Sequence, residues 1–264
     1  MKPTILIENN VFWEDEKTPN NSSLVASNYF KVIEVNNFLE INGNMPHIDF
    51  FRGSMATAAT LRGFRMGPKD PHKFYDCTEW VPRLKQFYIN KNYNFVDLEK
   101  CQDLPFPMFV RPCTGNKSFS GQLFSSKSHF VTEYNFTTKN RNVSQFDLCL
   151  YAKPKKIEEE YRCVFVDHKI VSACGYLKNG ERANFSCPKE AIDLTLEIAK
   201  NSYFSIPNFV IDICKDSNGN YFLLEINSIY TSSFYSCDLE SIYSQIVESM
   251  QMKYINPIKH EQYK

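Results

Sequence analysis

Apolar residues along the chain fall mostly into short runs of period two, the spacing of strands, with helical spacing confined to a few segments. In the first hundred residues this pattern predicts strands at 5–7, 31–35 and 48–51, a polar stretch at 15–23 and a helix over 55–62. A loop rich in Gly, Pro and basic residues follows at 63–73, and the alternation reads as a small α/β unit. Leu104-Pro105-Phe106-Pro107 marks a boundary, because proline interrupts both helices and ladders. Beyond it strand signals dominate, at 108–111, 122–124, 147–152, 161–166, 169–174 and the long pair spanning 209–227, with helical spacing at 189–201 and 239–252. The expected class is α+β.

The pair at 209–227 is the most informative segment. Asn218-Gly219 lies between two apolar runs, which predicts a two-residue type I′ hairpin in which both central residues take positive φ. Ser217 then pairs with Asn220, and continuing the ladder sets Asp212 opposite Glu225. Val210, Cys214, Leu223 and Asn227 share their face, while Ile211, Ile213, Phe222, Leu224 and Ile226 fill the other. Opposed like charges destabilise a sheet unless a cation or proton sits between them. Magnesium suits the pair, since it takes carboxylates, phosphates and water, and Asn227 adds a neutral oxygen. A protonated pair, or a register slip that turns one acid to solvent, are the alternatives.

Two other segments carry chemistry. Met108-Phe109-Val110-Arg111-Pro112 reads as a strand followed by Cys113-Thr114-Gly115-Asn116-Lys117-Ser118-Phe119-Ser120-Gly121, a glycine-flanked loop that would fold its amides over a polyphosphate, or equally form a plain hairpin with an exposed lysine. It is not a Walker A loop, because a strand follows and the lysine precedes the second glycine by four residues. The run Lys153 to Glu160 reads as a solvated turn, and Arg162 beyond it is an isolated charge among apolar neighbours, with a tight turn at Asp167-His168. Beside a triphosphate such an arginine is a fixed, always charged donor fork; otherwise it is a rim residue.

Composition narrows the classes. The 30 Lys+Arg balance 30 Asp+Glu, which argues against a general nucleic-acid binder. No run approaches the ~20 apolar residues of a membrane span and no secretory leader is evident. Nine cysteines without a C-x-x-C pair point to reduced, buried thiols in the cytoplasm, and five scattered histidines argue against zinc.

The order of these pieces resembles the ATP-grasp fold, in particular its small clade of bacterial and phage or viral proteins. The resemblance rests on Phe109-Val110-Arg111-Pro112, the loop from Gly115 to Gly121, Glu160-Tyr161-Arg162, Asp212, Leu224-Glu225-Ile226-Asn227 and the tail Ser233 to Asp238, and covers about residues 105–250. It implies an N-terminal α/β domain over 1–104 and an ATP-grasp domain over 105–264, divided into a glycine-loop subdomain (105–150) and a metal-binding subdomain (151–264) that together enclose ATP. It implies adenine against Tyr151 and Ala152, phosphates on Arg111, Gly115, Lys117, Ser118, Gly121 and Arg162, with Lys117 and Arg162 as catalytic groups, and Mg2+ on Asp212, Glu225 and Asn227. Glu160 would contact ribose or hold Arg162. Two departures stand out: Arg111 occupies a position where relatives carry lysine, and Ala152-Lys153-Pro154 lacks the usual acidic residue.

The implied activity is ADP-forming ligation of a small-molecule or peptide carboxylate to an amine through an acylphosphate. A phosphotransferase and a non-catalytic nucleotide-binding protein are the competing classes. Arg52, Arg62 and Arg65 would bind an anionic substrate or serve structure, and Ser232, Ser233 and Tyr235 are substrate-side contacts by position.

Overall fold

The computed structural model describes residues 2–14, 21–115, 118–140 and 143–255. In chain order its elements are β1 (Thr4–Glu8), α1 (Asn21–Ala26), β2 (Lys31–Val35), β3 (Phe50–Arg52), α2 (Met55–Phe64), α3 (Cys77–Arg83), β4 (Tyr93–Asp97), β5 (Met108–Pro112), β6 (Gln122–Phe124) and α4 (Lys127–Asn140). They continue with β7 (Leu148–Ala152), β8 (Ile157–Val166), β9 (Lys169–Lys178), β10 (Glu181–Ser186), α5 (Lys189–Ala199), β11 (Phe209–Asp216), β12 (Tyr221–Asn227) and α6 (Leu239–Ile255). Among the described residues no helix is long and apolar enough to cross a membrane. All nine cysteines are free thiols, eight of them buried.

Contacts gather the described residues into two compact units. The first comprises Met1–Asp70, Glu158–Lys215 and Gly219–Lys264, and the second Pro71–Ile157 with Asp216–Asn218. The expected cut at 104 falls inside the second unit, because β4 pairs along its length with β7. Nor is the N-terminal sheet a separate body of contacts. Ile5, Ile7 and Phe50 share one apolar cluster with Val164, Val166, Val210 and the Ile242, Tyr243 and Ile246 face of α6.

In the first unit, β2-β1-β3 form a parallel sheet and β10-β9-β8-β11-β12 a second sheet. The unbroken apolar run Ile5-Leu6-Ile7 reflects burial on both faces of the parallel sheet. Ile5 and Ile7 enter the cluster just described, while Leu6 joins Phe51, Ala58 and Leu61 beneath α2. Ser54 caps α2 by accepting from the Thr57 amide, and Arg65 ends it in the left-handed region at φ 55°.

The second unit is built on the sheet β4-β7-β5-β6. Met108 and Val110 of β5 point into a cluster with Phe124, Phe130 and Cys149, so α4 lies on that face. This helix escapes a periodicity reading. Only Phe130, Val131 and Tyr134 pack on the cluster, Phe136 is exposed, and Thr and Asn dilute the rest.

Two expectations about turns change. The run 157–160, read as solvated, is the first part of β8, because Glu159 finds Lys178 at 3.0 Å and Lys215 at 3.4 Å on the same sheet. The β11–β12 connection is not type I′: Gly219 has φ +82° but Asn218 is not in the positive-φ region. Lys215 pairs with Tyr221, leaving three loop residues, 217–219, between Asp216 and Asn220. A bulge between Asp212 and Ile213 then restores the expected pairing, so Asp212 still faces Glu225 and Val210 faces Asn227. Beyond the bulge the faces exchange, with Leu223 opposite Ile213 and Phe222 opposite Cys214. Type I′-like backbone occurs instead at Asp167-His168 and at Asn179-Gly180, where both central residues have positive φ.

Candidate active site

The residues singled out from the sequence divide between the two units. In the first, the sheet order sets β9, β8, β11 and β12 side by side, so Tyr176, Arg162, Asp212 and the Glu225/Asn227 pair come from four adjacent strands. Arg162 and Asp212 meet in a two-pronged ion pair, Nε to Oδ1 at 2.8 Å and Nη2 to Oδ2 at 2.7 Å, with both side chains buried. Asn227 donates its amide to Asp212 Oδ2 at 2.9 Å, which leaves its own Oδ1 buried without a hydrogen-bond partner.

The remaining side of the guanidinium is also built. Arg162 Nη1 donates to the Ser233 carbonyl, and the Tyr235 and Tyr176 rings lie 4.6 and 5.3 Å from the guanidinium carbon. Those two rings stack on each other at 4.3 Å and 2°. The Tyr176 hydroxyl donates to Glu160 at 2.6 Å.

Glu160 thus lies within electrostatic reach of two further carboxylates, Asp212 and Glu225, and of the Arg162 guanidinium. Burial pushes the Glu160 carboxyl up, the Tyr176 hydrogen bond partly opposes this, and the charges of Asp212 and Glu225 push it up further. Burial alone would lower the Arg162 pKa, but the Asp212 charge and hydrogen bonds outweigh it and hold the group well above its ordinary value. Burial, then the Asp212 and Glu160 charges, keep the Tyr176 phenol neutral.

A surplus of negative charge beside an unpartnered amide oxygen fits a hard divalent cation. Among the described residues no cluster of three or more His, Cys, Asp or Glu side chains is assembled to hold a metal. The donor set here is two carboxylates and an amide, which suits an ion that keeps water and phosphate ligands.

The second unit holds the other candidates. Arg111 on β5 is half-buried, with its guanidinium carbon 6.0 Å from the Trp80 ring. Gly115 donates its amide to Asp76, and the Ser118 hydroxyl is buried without a partner. At Gly121 an added Cβ would lie 3.0 Å from Arg111 Cβ and Phe109 Cζ, tighter than an ordinary contact, so glycine lets the chain return this close to β5 without displacing either side chain. Tyr151 and Ala152 on β7 pair with Val110 and Phe109, and the Tyr151 hydroxyl donates to the Pro105 carbonyl at 3.4 Å. Lys117 lies outside the described residues.

Arg52 serves structure rather than an anionic substrate. It is fully buried against Glu14, donates to the Ile229 carbonyl at 3.1 Å and to the Ser232 carbonyl, and sits between the Phe12 and Phe234 rings. Arg62 and Arg65 are exposed. Sequence reasoning missed Glu14 and Tyr176. Glu14 carries no motif, and its partners lie 38 residues away at Arg52 and some 220 away at Ser233 to Tyr235. Tyr176 escapes because the two-residue Asp167-His168 turn alone would set it on the face away from Arg162; the register shift between Val164 and Phe165 brings it round.

A search of curated proteins finds no match. Solved structures of similar fold include a D-cycloserine synthetase, DcsG, at 10% identity and TM-score 0.61 over 93% of this chain and 98% of that one. They also include a D-alanine–D-alanine ligase from Bacillus anthracis at 12% identity and TM-score 0.59, covering 99% of this chain and 100% of that one. The structure of the same ligase complexed with ATP matches at 12% identity and TM-score 0.58, over 97% and 99%. The family described as "ATP-grasp domain, R2K clade family 2" matches residues 88–245, more than half of the chain. That match spans both the loop after β5 and the strands carrying Arg162, Asp212 and Asn227, and the chain belongs to the ATP-grasp superfamily.

Proposed function

We propose that the protein is an ATP- and Mg2+-dependent ligase that joins a carboxylate to an amine, releasing ADP and phosphate. The observation that carries this reading is the buried Arg162–Asp212–Asn227 group with Glu160 and Glu225 beside it. The solved structures of similar fold include ligases, which supports the class of reaction and leaves the substrates to this chain's own residues.

The chemistry balances without a protein nucleophile. A substrate carboxylate oxygen attacks the γ-phosphorus, ADP departs with the electrons of the cleaved P–O bond, and an acylphosphate forms. The amine then attacks the acyl carbon, phosphate leaves, and the nitrogen loses a proton. Arg162 stays charged throughout. Of its five N–H groups, three are committed to Asp212 and Ser233, so one on each terminal nitrogen remains to meet phosphate oxygens. Asp212, Glu225 and Asn227 would hold magnesium, which when bound neutralises phosphate charge. Such electrostatic donors are each typically worth about 2.7–4 kcal/mol of barrier.

In the second unit Arg111, Gly115, Lys117, Ser118 and Gly121 are proposed for the phosphates, and Tyr151 and Ala152 for adenine. Glu160 is assigned to ribose or to Arg162; its hydrogen bond from Tyr176, whose ring faces the guanidinium, favours the second.

The test is incubation of the purified protein with magnesium-ATP and pooled amino acids, polyamines and small carboxylic acids, with Asp212→Asn as control. Pool-dependent release of ADP and phosphate that the variant lacks supports ligation. ADP without phosphate would indicate phosphoryl transfer instead, and absence of ATP binding would sink the reading.

A further inference from the structure

Glu14 follows β1 by six residues and is buried, with its side chain 2% exposed. Four donors converge on its two oxygens: Arg52 Nη2, Ser233 Oγ, the Phe234 amide at 3.0 and 3.1 Å, and the Tyr235 amide at 3.3 Å. Ser233 Oγ also accepts from the Trp13 amide at 3.1 Å. Arg52 clamps the same segment from its other side through the Ile229 and Ser232 carbonyls.

This segment is where Arg162 is held. Its Ser233 carbonyl accepts from Arg162 Nη1 and its Tyr235 ring covers the guanidinium. Tyr235 takes φ 52°, a left-handed conformation that a bulky residue such as tyrosine rarely adopts unless its surroundings over-determine it. The Glu14 carboxylate accepting the Tyr235 amide supplies that constraint. A buried ion pair is a poor source of net stability, since desolvation offsets its attraction, so its value here lies in selecting one path for the segment.

We infer that the buried Glu14–Arg52 pair is a positioning device: it sets the course of residues 232–235 and through them the orientation of the Arg162 guanidinium against Asp212. All these residues belong to the first unit. The functional consequence rests on the proposed role of Arg162 toward the phosphates of ATP; the positioning itself does not.

The experiment reads both. In protein carrying 15N-labelled arginine, the Arg162 Nε–H resonance, assigned by its loss in Arg162→Lys, reports the bond to Asp212. Glu14→Gln, checked for fold by circular dichroism and backbone amide spectra, is expected to speed exchange of that proton about tenfold and to weaken magnesium-ATP binding about tenfold, with adenosine affinity unchanged. Ser233→Ala strands no charge and is expected to move both in the same direction by about threefold. Glu8→Gln is the control, since Glu8 is another buried glutamate, which accepts from the Ser54 amide and Thr57 hydroxyl, each at 2.7 Å, at the start of α2.

An unchanged Arg162 resonance in a folded Glu14→Gln protein, or an equal change in Glu8→Gln, overturns the inference. If Glu14→Gln does not fold, an unchanged resonance in Ser233→Ala overturns it. A shifted resonance in a protein that never binds magnesium-ATP supports the positioning and rejects the nucleotide reading alone.

Discussion

Arg162 and Asp212, fifty residues apart, are joined by two parallel hydrogen bonds of 2.7 and 2.8 Å in the interior of one sheet. A lone guanidinium on β8 and a lone carboxylate on β11 would each be a costly charge to bury; together they neutralise one another. The pairing also ties the proposed phosphate-binding group to the proposed metal ligand, so a change at either position acts on both.

Removing one partner strands the other in the interior. Arg162→Met is expected to lower the unfolding free energy by about 3–5 kcal/mol. Urea denaturation measures it, and an Arg162→Met/Asp212→Leu double variant should recover part of the loss. A single variant within about 0.5 kcal/mol of the wild type would contradict the buried pair.

Gly175 on β9 lies opposite both Tyr161 and Phe185, and a Cβ there would come within 2.3–2.5 Å of the Phe185 ring. Gly175→Ala is expected to destabilise by about 1–3 kcal/mol through overpacking. Phe185→Leu in the same background should relieve part of this. Thermal or urea midpoints of the two variants decide.

Asp70 supplies a pH signature. Burial pushes its carboxyl up to about 6, against smaller opposing contributions from the Ser228 hydrogen bond and the Arg62 charge. The folded protein therefore binds this proton more tightly than the unfolded chain, so its stabilising contribution is full below about pH 4 and is lost as pH rises through about 6. Asp70→Asn is expected to flatten the stability profile between these values and to be more stable than the wild type at pH 7.5, by up to about 3 kcal/mol. Unfolding curves at several pH values test it; an unchanged slope would refute the shift.

Glu160 should titrate above the ordinary glutamate range, because burial and the neighbouring carboxylates favour its protonated form. Tyr176→Phe removes the hydrogen bond that opposes this and is expected to move the titration higher still. Carboxyl-carbon NMR follows both, and addition of Mg2+ should lower the value if the cation joins Asp212 and Glu225. A Glu160 titration at or below that of exposed glutamates would count against the charge cluster.

Much of the site was legible in the chain. Alternation alone set Asp212, Glu225 and Asn227 on one face of paired strands, and the structure keeps that pairing although the turn and the bulge differ from the simple hairpin. The reason is that a three-residue loop and a one-residue bulge each shift register by one step, in opposite senses. The difference is therefore invisible at Asp212 and shows only between the bulge and the turn, where Leu223, Phe222 and Tyr221 each face a β11 residue one step from the expected one.

By itself the sequence determined the local periodicities, and with them most strands, the helices α2, α5 and α6, and the shared face of the acidic pair, because side-chain alternation is a property of consecutive residues. The tertiary structure decided what lies far apart in the chain: Arg162 against Asp212, Glu14 against Arg52 and the Phe234 and Tyr235 amides, and the N-terminal sheet sharing a core with β8 and β11 rather than forming its own unit. Such partners are chosen by burial and by the need of each enclosed charge or amide for a counterpart, and neither is written in local spacing.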